Sequence, residues 1–254
     1  MNIRFLRKER EEVLDYLKNY YNENNIFIDV FWEERVMKSN FYEVSIDNNF
    51  AGVCGIFESN MIMVLAIELE YRHLQYKIFE EVKRLEYVQY AAVTTSDEIF
   101  MGLALENFKS VEKDSYYSID SKREIRDLKR LKLRLINIDE LELAREITEG
   151  YYERLEEDIR KGEFYFALDG DKIIGTGHLV PGILFEKQLN IGMYVNSKCR
   201  ALGYGTEILI RLKELSYSMD KDPISGCWAY NHNSLKAQIK AGMSMKARFL
   251  KFKI

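Results

Sequence analysis

The segment from Tyr194 to Thr206 has the residue types and the spacing of an anion-binding turn. It leads from a predicted strand into a predicted helix, with Gly203 and Gly205 at the junction, where backbone amides can converge without obstruction by side chains. The first turn of a helix adds N–H groups without intrahelical partners and the positive end of the helix dipole. The pattern therefore favours a pyrophosphate ligand, although two glycines can also serve merely to turn the chain.

Two common nucleotide-binding signatures are absent from the sequence. It contains no GxxxxGK[ST] motif, and position 208, where the GxGxxG pattern requires glycine, is Ile. These absences argue against a P-loop and against a dinucleotide-binding fold.

The spacing Arg200-x-x-Gly203-x-Gly205 resembles the Arg/Gln-x-x-Gly-x-Gly/Ala signature of the GNAT superfamily, the acyl-CoA-dependent N-acyltransferases. The resemblance covers about residues 131–254. It implies an α/β (α+β) fold class, namely tandem GNAT-like folds that each have a mixed, mostly antiparallel central sheet flanked by helices.

A second spacing agrees with this family. After the next strand, the family has an Asn, a small residue three positions later and Gly-Phe about eleven positions after the Asn, and Asn231, Ser234 and Gly242-Met243 fit this order. Asn231 could also simply cap the last helix, and Ser234 could be an ordinary first-turn residue.

The resemblance implies a set of residues that hold acetyl-CoA as the co-substrate. Backbone amides between Arg200 and Thr206 would bind the pyrophosphate, and the backbone of Met193–Val195 would pair with the pantetheine arm like an added strand. Asn231 would contact the same arm. The predicted cofactor-binding residues are Met193, Tyr194, Val195, Arg200, Ala201, Leu202, Gly203, Tyr204, Gly205, Thr206, Asn231 and Ser234. The Arg200 side chain could instead be a plain surface charge.

The family chemistry is direct attack of an acceptor amine on the thioester, without a covalent enzyme intermediate. The family tyrosine that protonates the leaving thiolate lies four residues after the small residue, where this chain has Gln238. Glutamine cannot supply a proton at neutral pH, so either Tyr230 is the catalytic acid or the thiolate leaves unassisted. We favour Tyr230.

Candidates for a general base are His178, His232 and Glu186. Imidazole titrates near neutral pH, but structural roles are the simpler interpretation for both histidines, and an exposed loop carboxylate is the simpler one for Glu186. Three widely spaced cysteines without a CxxC pair indicate neither a disulfide framework nor a metal site.

The elements predicted around these residues alternate between strands and helices. Asp139 is expected to cap a helix, and the helix that reaches about Met219 should bury Ile208 and direct Lys213 and Glu214 to water. The predicted strands are 131–136, 163–168, 172–180, 188–195, 224–230 and 245–254, and the predicted helices are 139–147, 151–160, 205–219 and 234–241.

The first half repeats this plan. Phe41-Tyr42 and Gly52 precede Phe164-Tyr165 and Gly175 by 123 residues, and each set lies in a predicted hairpin. The same offset relates Tyr71 and Tyr194 as predicted strand ends. Because no glycine follows Tyr71 as far as Phe79, the first half lacks the pyrophosphate turn.

Three regions follow from the repeat. Residues 1–120 form a degenerate GNAT-like lobe, residues 121–130 form a charged linker, and residues 131–254 form the acetyl-CoA-binding lobe. The linker is either solvated or an RNA-binding strip that includes Lys129 and Arg130. Tandem GNAT proteins with one silent lobe, including zwittermicin A resistance-type acetyltransferases, are similar in arrangement.

The composition of the chain excludes several classes of function. With 37 Lys+Arg against 41 Asp+Glu, the net charge of −4 argues against a dedicated nucleic-acid-binding protein. The longest apolar run, Met61–Ile67, is too short to span a membrane, and the start of the chain lacks the pattern of a signal peptide, so we expect a cytoplasmic protein without a membrane partner. A monomer or a homodimer is expected.

The predicted function is acetyl-CoA-dependent transfer of an acetyl group to a primary amine of a small molecule, without a metal. The alternative is a non-catalytic acyl-CoA-binding or regulatory module, which the loss of the family tyrosine favours. A third interpretation, modification of a nucleic acid or a protein, depends on the basic linker alone.

Overall fold

The computed structural model describes residues 1–125 and 131–254, so half of the predicted linker lies outside the described residues. The chain divides into two compact units. The first unit contains Met1–Tyr116 and Ala247–Ile254, and the second contains Tyr117–Lys246. The final segment, predicted as part of the second lobe, thus belongs to the first unit. Among the described residues, no helix is both long enough and apolar enough to cross a membrane.

The first unit has a mixed sheet in the order β1-β2-β3-β4-β5-β12, in which β12 is Met243–Lys253. Strands β1 to β4 are antiparallel neighbours, β5 is parallel to β4, and β12 is antiparallel to β5. Its elements are β1 (Ile3–Lys8), α1 (Arg10–Glu23), α2 (Val30–Met37), β2 (Asn40–Ile46), β3 (Asn49–Phe57), β4 (Met61–Ile67), α3 (Gln75–Val82), β5 (Tyr90–Thr94) and α4 (Glu98–Asn107). The predicted hairpin turn is confirmed, since Asp47 and Asn48 both have positive φ, as two-residue hairpin loops require.

The second unit repeats the arrangement in the order β6-β11-β10-β9-β8-β7. Strands β6 and β12 each have one end in either unit. The elements are β6 (Ser110–Asp120), β7 (Lys132–Leu135), α5 (Leu141–Ile147), α6 (Leu155–Arg160), β8 (Phe164–Asp169), β9 (Lys172–Pro181), β10 (Gln188–Val195), α7 (Tyr204–Ser218), β11 (Asp222–Trp228), α8 (His232–Lys240) and β12 (Met243–Lys253). The predicted fold class, with a mostly antiparallel sheet flanked by helices, is confirmed.

The register of the two sheets corrects the predicted repeat. Gly52 pairs with Ile67, and Gly175 pairs with Val195, so these strand ends are 128 residues apart rather than 123. A Cβ on Gly52 would lie 2.1 Å from a backbone oxygen of β4, and one on Gly175 would lie 2.2 Å from the equivalent oxygen of β10. Both glycines are therefore required by the same close backbone approach, and the second unit has five extra residues between β9 and the end of β10.

Tyr71 is consequently not a strand end. Strand β4 ends at Ile67, and Tyr71 lies in the 3₁₀-helix Leu69–Leu74. The predicted cap at Asp139 is also wrong, because Asn137 and Glu140 form a reciprocal capping box at that position.

The described half of the predicted linker packs on the second unit. The Ser121 amide and hydroxyl both donate to the Gly242 carbonyl, and the side chain of Ile125 packs with the core of this unit. Residues 121–125 are thus held by hydrogen bonds and apolar contacts, whereas the sequence suggested a solvated segment.

Lys213 does not face water as predicted. Its ammonium group lies 2.6 Å from Asp120 and donates to the Ala241 carbonyl at 2.8 Å, and the Lys213 and Asp120 side chains are only 9% and 6% exposed. The Tyr217 hydroxyl also donates to Asp120. The pair joins β6 to α7 inside the second unit.

We expect Lys213→Met to lower the free energy of unfolding by about 3 kcal/mol, because it leaves the buried Asp120 carboxylate without its cation. Adding Asp120→Asn to the Lys213→Met variant should recover most of the lost free energy of unfolding. Denaturant unfolding measures both, with the exposed Lys187→Met as the control. If Lys213→Met alone is as stable as the wild type, the Lys213–Asp120 pair has no net stabilising effect.

Candidate functional site

Strands β10 and β11 separate partway along their length. Strand β10 pairs with β9 from Leu189 to Val195, but with β11 only over Gln188–Asn190. Beyond Asn190, the hydroxyl of Ser225 in β11 donates to the Ile191 carbonyl at 2.9 Å. The gap leaves an edge of β10 at Met193–Val195 that an extended ligand can pair with.

The turn after β10 brings the start of α7 to this gap. Ala201 and Gly203 have positive φ, and Gly203 is the N-cap of α7. A Cβ on Gly203 would meet no atom within 4 Å, whereas one on Gly205 would lie 3.2 Å from the Met193 side chain. Open space at the cap, together with the first-turn amides of α7, suits an anionic group.

The Arg200 side chain fastens the turn to the end of β10. Its Nε donates to the Val195 carbonyl at 3.0 Å, and its terminal nitrogen donates to the Tyr194 hydroxyl at 2.8 Å. The hydroxyls of Tyr194 and Ser197 both donate to Glu149, and hydrogen bonds from Ser197 and Tyr194 lower the pKa of Glu149. Arg200 is thus part of the framework of the turn rather than a free surface charge.

The first unit repeats this contact. Arg72, 128 residues before Arg200, directs its Nε to the Ile67 carbonyl at 3.5 Å and donates to Asn24 at 2.7 Å. At the same offset, Leu74 and Tyr76 match Leu202 and Tyr204, but Gln75 and Lys77 stand where the second unit has Gly203 and Gly205. The glycines that the first half lacks thus correspond to Gln75 and Lys77, and the backbone also differs, since Gly203 has a positive φ whereas Gln75 does not.

A cleft of about 700 Å³ opens between the end of β10, the start of α7 and α8. Eleven of the twelve predicted cofactor-binding residues line it. These are Met193, Tyr194, Val195, Arg200, Ala201, Gly203, Tyr204, Gly205, Thr206, Asn231 and Ser234. Leu202 is exposed and does not line the cleft. The Asn231 side chain accepts from the Ser234 amide at 3.1 Å, so it caps α8 while it also faces the cleft.

Sequence analysis missed several lining residues. Lys236 and Lys240 lie one turn apart on α8, and Tyr151 comes from the segment before α6. The sequence could have revealed the lysines, because they are four residues apart on the helix that Asn231 caps. This spacing places both side chains on one face of the helix. Nothing in the sequence near Tyr151 pointed to the cleft.

The candidate catalytic residues are not gathered in the cleft. Tyr230 is half exposed, packs against Trp228 with ring centroids 4.9 Å apart, and is not among the residues that line the cleft. Gln238 is buried and donates to the Gly226 carbonyl at 3.1 Å, so it holds α8 to β11. His232 and Glu186 are exposed.

His178 is buried beside Gly192 and Tyr152. Its Nδ1 is 3.3 Å from the Tyr152 hydroxyl, and burial lowers the pKa of His178 to about 4. The imidazole is therefore neutral at physiological pH, in agreement with the structural role that the sequence favoured.

The donor set fits an acyl-CoA. The open edge of β10 matches an amide-bearing arm, the amides around Gly203 match a pyrophosphate, and Lys236 and Lys240 add positive charge along the same cleft. Among the described residues, no group of three or more His, Cys, Asp or Glu side chains could hold a metal ion.

Two family models match the chain. The model of the acetyltransferase (GNAT) domain matches residues 9–121, and that of the acetyltransferase (GNAT) family matches residues 132–236. A search of curated proteins finds no match.

Solved structures share the fold. A GNAT-family acetyltransferase from Colwellia psychrerythraea has a TM-score of 0.88 at 16% identity, with 100% of both chains covered. A GCN5-related N-acetyltransferase from Sphaerobacter thermophilus has a TM-score of 0.63 at 12% identity, with 98% of this chain and 94% of that chain covered. A tandem GNAT protein from the clavulanic acid biosynthesis pathway has a TM-score of 0.61 at 10% identity, with 99% of this chain and 98% of that chain covered. Since GNAT models match both halves, the chain belongs to the GNAT superfamily of acyltransferases and carries two GNAT domains in tandem.

Proposed function

We propose that the second domain transfers an acetyl group from acetyl-CoA to a primary amine of a small molecule. The observation that carries this proposal is the cleft in which the open edge of β10 meets the glycine-capped start of α7. The family uses acetyl-CoA in general, and acyl transfer is its shared reaction. The small-molecule amine acceptor, a monomeric or homodimeric state and a cytoplasmic location remain our expectations.

The roles of the residues follow from the cleft. Met193–Val195 would align the pantetheine arm by backbone hydrogen bonds, and the amides around Gly203 would hold the pyrophosphate. The thioester supplies an activated acyl carbon. The amine nitrogen bonds to that carbon as the C–S bond breaks, and the amine proton passes to solvent or to a base. Fixed positions for both reactants supply much of the rate enhancement.

The departing thiolate requires a proton. Tyr230 remains our candidate acid because a phenol can donate a proton, whereas the Gln238 amide already donates to the Gly226 carbonyl. His178 does not serve as a proton store near neutral pH, because its pKa is about 4.

The buried glutamine also favours a second candidate function. With Gln238 at the position of the family acid, the domain could bind acyl-CoA without turning it over and act as a regulatory module. The two tests below therefore measure the binding of acetyl-CoA and its turnover separately.

The first test is thermal unfolding with and without acetyl-CoA. At ~100 times the dissociation constant, the ligand should add about 2.7 kcal/mol to the stability of the wild type. Gly203→Asp should abolish this gain because its carboxylate repels the pyrophosphate. The gain should largely survive in Gly203→Asn, which tolerates the same positive φ without the charge, and in Gln75→Asp, the matched position of the first domain. Equal loss in the Asp and Asn variants would contradict a charge-specific anion site at Gly203.

The second test is release of CoA thiol with a panel of small primary amines. Turnover with at least one amine supports the transferase, whereas tight binding of acetyl-CoA without turnover of any amine supports the regulatory module. We expect Tyr230→Phe to lower kcat about tenfold or more, because it deletes the proposed proton donor. An unchanged kcat would exclude Tyr230 as the acid, with the neighbouring Trp228→Phe as the control for local packing.

A further inference from the structure

The cleft of the second domain is basic, although the chain as a whole is acidic. Three of the side chains that line it are cationic, namely Arg200, Lys236 and Lys240, and no described residue that lines it is Asp or Glu. The whole chain, in contrast, has a net charge of −4. A basic cleft in an acidic protein favours a ligand that carries several negative charges.

The arginine contributes little of the charge that a ligand would meet. Its Nε donates to the Val195 carbonyl, and a terminal nitrogen donates to the Tyr194 hydroxyl and lies 3.5 Å from the Glu149 carboxylate. Glu149 therefore offsets the charge of Arg200 within the turn. The positive charge that remains for a ligand comes from the two lysines.

Lys236 and Lys240 have no protein partner for their ammonium groups. Both are exposed, and within residues 1–125 and 131–254 neither forms a hydrogen bond or an ion pair. They lie four residues apart on α8, so their side chains leave one face of the helix about 6 Å apart along its axis. Two neighbouring lysines suit one group with two negative charges, because lysine binds phosphate as a point charge.

The pyrophosphate proposed for this cleft has other partners. The backbone amides around Gly203 and in the first turn of α7 would hold it without lysine side chains. On α8, Asn231 and Ser234 stand at the start of the helix, where the pantetheine arm is proposed to lie, and the lysines follow further along. Acyl-CoA has a third phosphate, on the 3′ position of its ribose, and this monoester carries nearly two negative charges at pH 7.

We propose that Lys236 and Lys240 bind the 3′-phosphate of the acyl-CoA and make the second domain selective for donors that carry it. This inference rests on the function proposed for the domain and defines its acyl donor more narrowly. An acyl group on dephospho-CoA, or on the phosphopantetheine arm of a carrier protein, lacks the 3′-phosphate and is bound more weakly.

The test is isothermal titration of the full chain with acetyl-CoA and with acetyl-dephospho-CoA, which lacks only the 3′-phosphate. We expect the wild type to bind acetyl-CoA at least about tenfold more tightly, because charge-assisted contacts to this phosphate are lost in the second ligand. In the double variant Lys236→Gln/Lys240→Gln, the affinity for acetyl-CoA should fall about tenfold, whereas that for acetyl-dephospho-CoA should change by less than about twofold. Lys236→Arg/Lys240→Arg should keep the preference, because arginine retains both charges.

A matched control removes two lysine charges outside the cleft. Lys172→Gln/Lys187→Gln, at exposed positions, should leave both affinities within about twofold. Equal affinity of the wild type for the two ligands would overturn the inference and leave the acetyl-CoA site in place. Equal weakening of both ligands by the Lys236/Lys240 glutamine variant would also overturn it, because the lysines would then act on the pyrophosphate. Absence of binding of either ligand would overturn both this inference and the proposed function.

Discussion

The separation of β10 from β11 after Asn190 is the constraint on which the second domain depends. Residues 191–195 of β10 stay paired with β9 but not with β11, and the peptide groups left open on that side need either water or a ligand. Because the same strand leads directly into the turn that starts α7, the unpaired edge and the first-turn amides face one cleft. Ser225 bonds to the Ile191 carbonyl where the strands part, which limits how much of the backbone is left open.

The two domains share an arginine contact but differ in the turn around it. Arg72 and Arg200 make the same contact with the carbonyl five residues earlier, and a glycine at the matched position of β3 or β9 allows the same close approach. The difference lies in the turn before the helix, where Ala201 and Gly203 have positive φ and where the first domain has Gln75 at the position matched to Gly203. The first domain thus has the arginine contact without the glycines that precede and begin α7 in the second.

The fold class and most of the cleft were predictable from short stretches of sequence. Glycines, turn residues and the Arg200 spacing identified the cleft, because backbone conformation at those positions depends on nearby residues. Features that depend on long-range pairing were not predictable: the offset of 128 residues follows from strand register, and burial of Lys213 follows from Asp120, which precedes it by 93 residues. Tyr230 was chosen by its position in the chain, but its ring packs on Trp228, two residues earlier at the end of β11.

The final strand has a consequence for how the chain is made. Residues 1–116 leave the ribosome long before Ala247–Ile254 exist, yet these last residues pair with β5 and place Phe249 against Trp32 at 4.2 Å. During synthesis, β5 therefore presents a bare sheet edge and Trp32 an uncovered ring, both of which favour wrong associations. The sheet of the first domain is therefore completed only after the second domain has been synthesised.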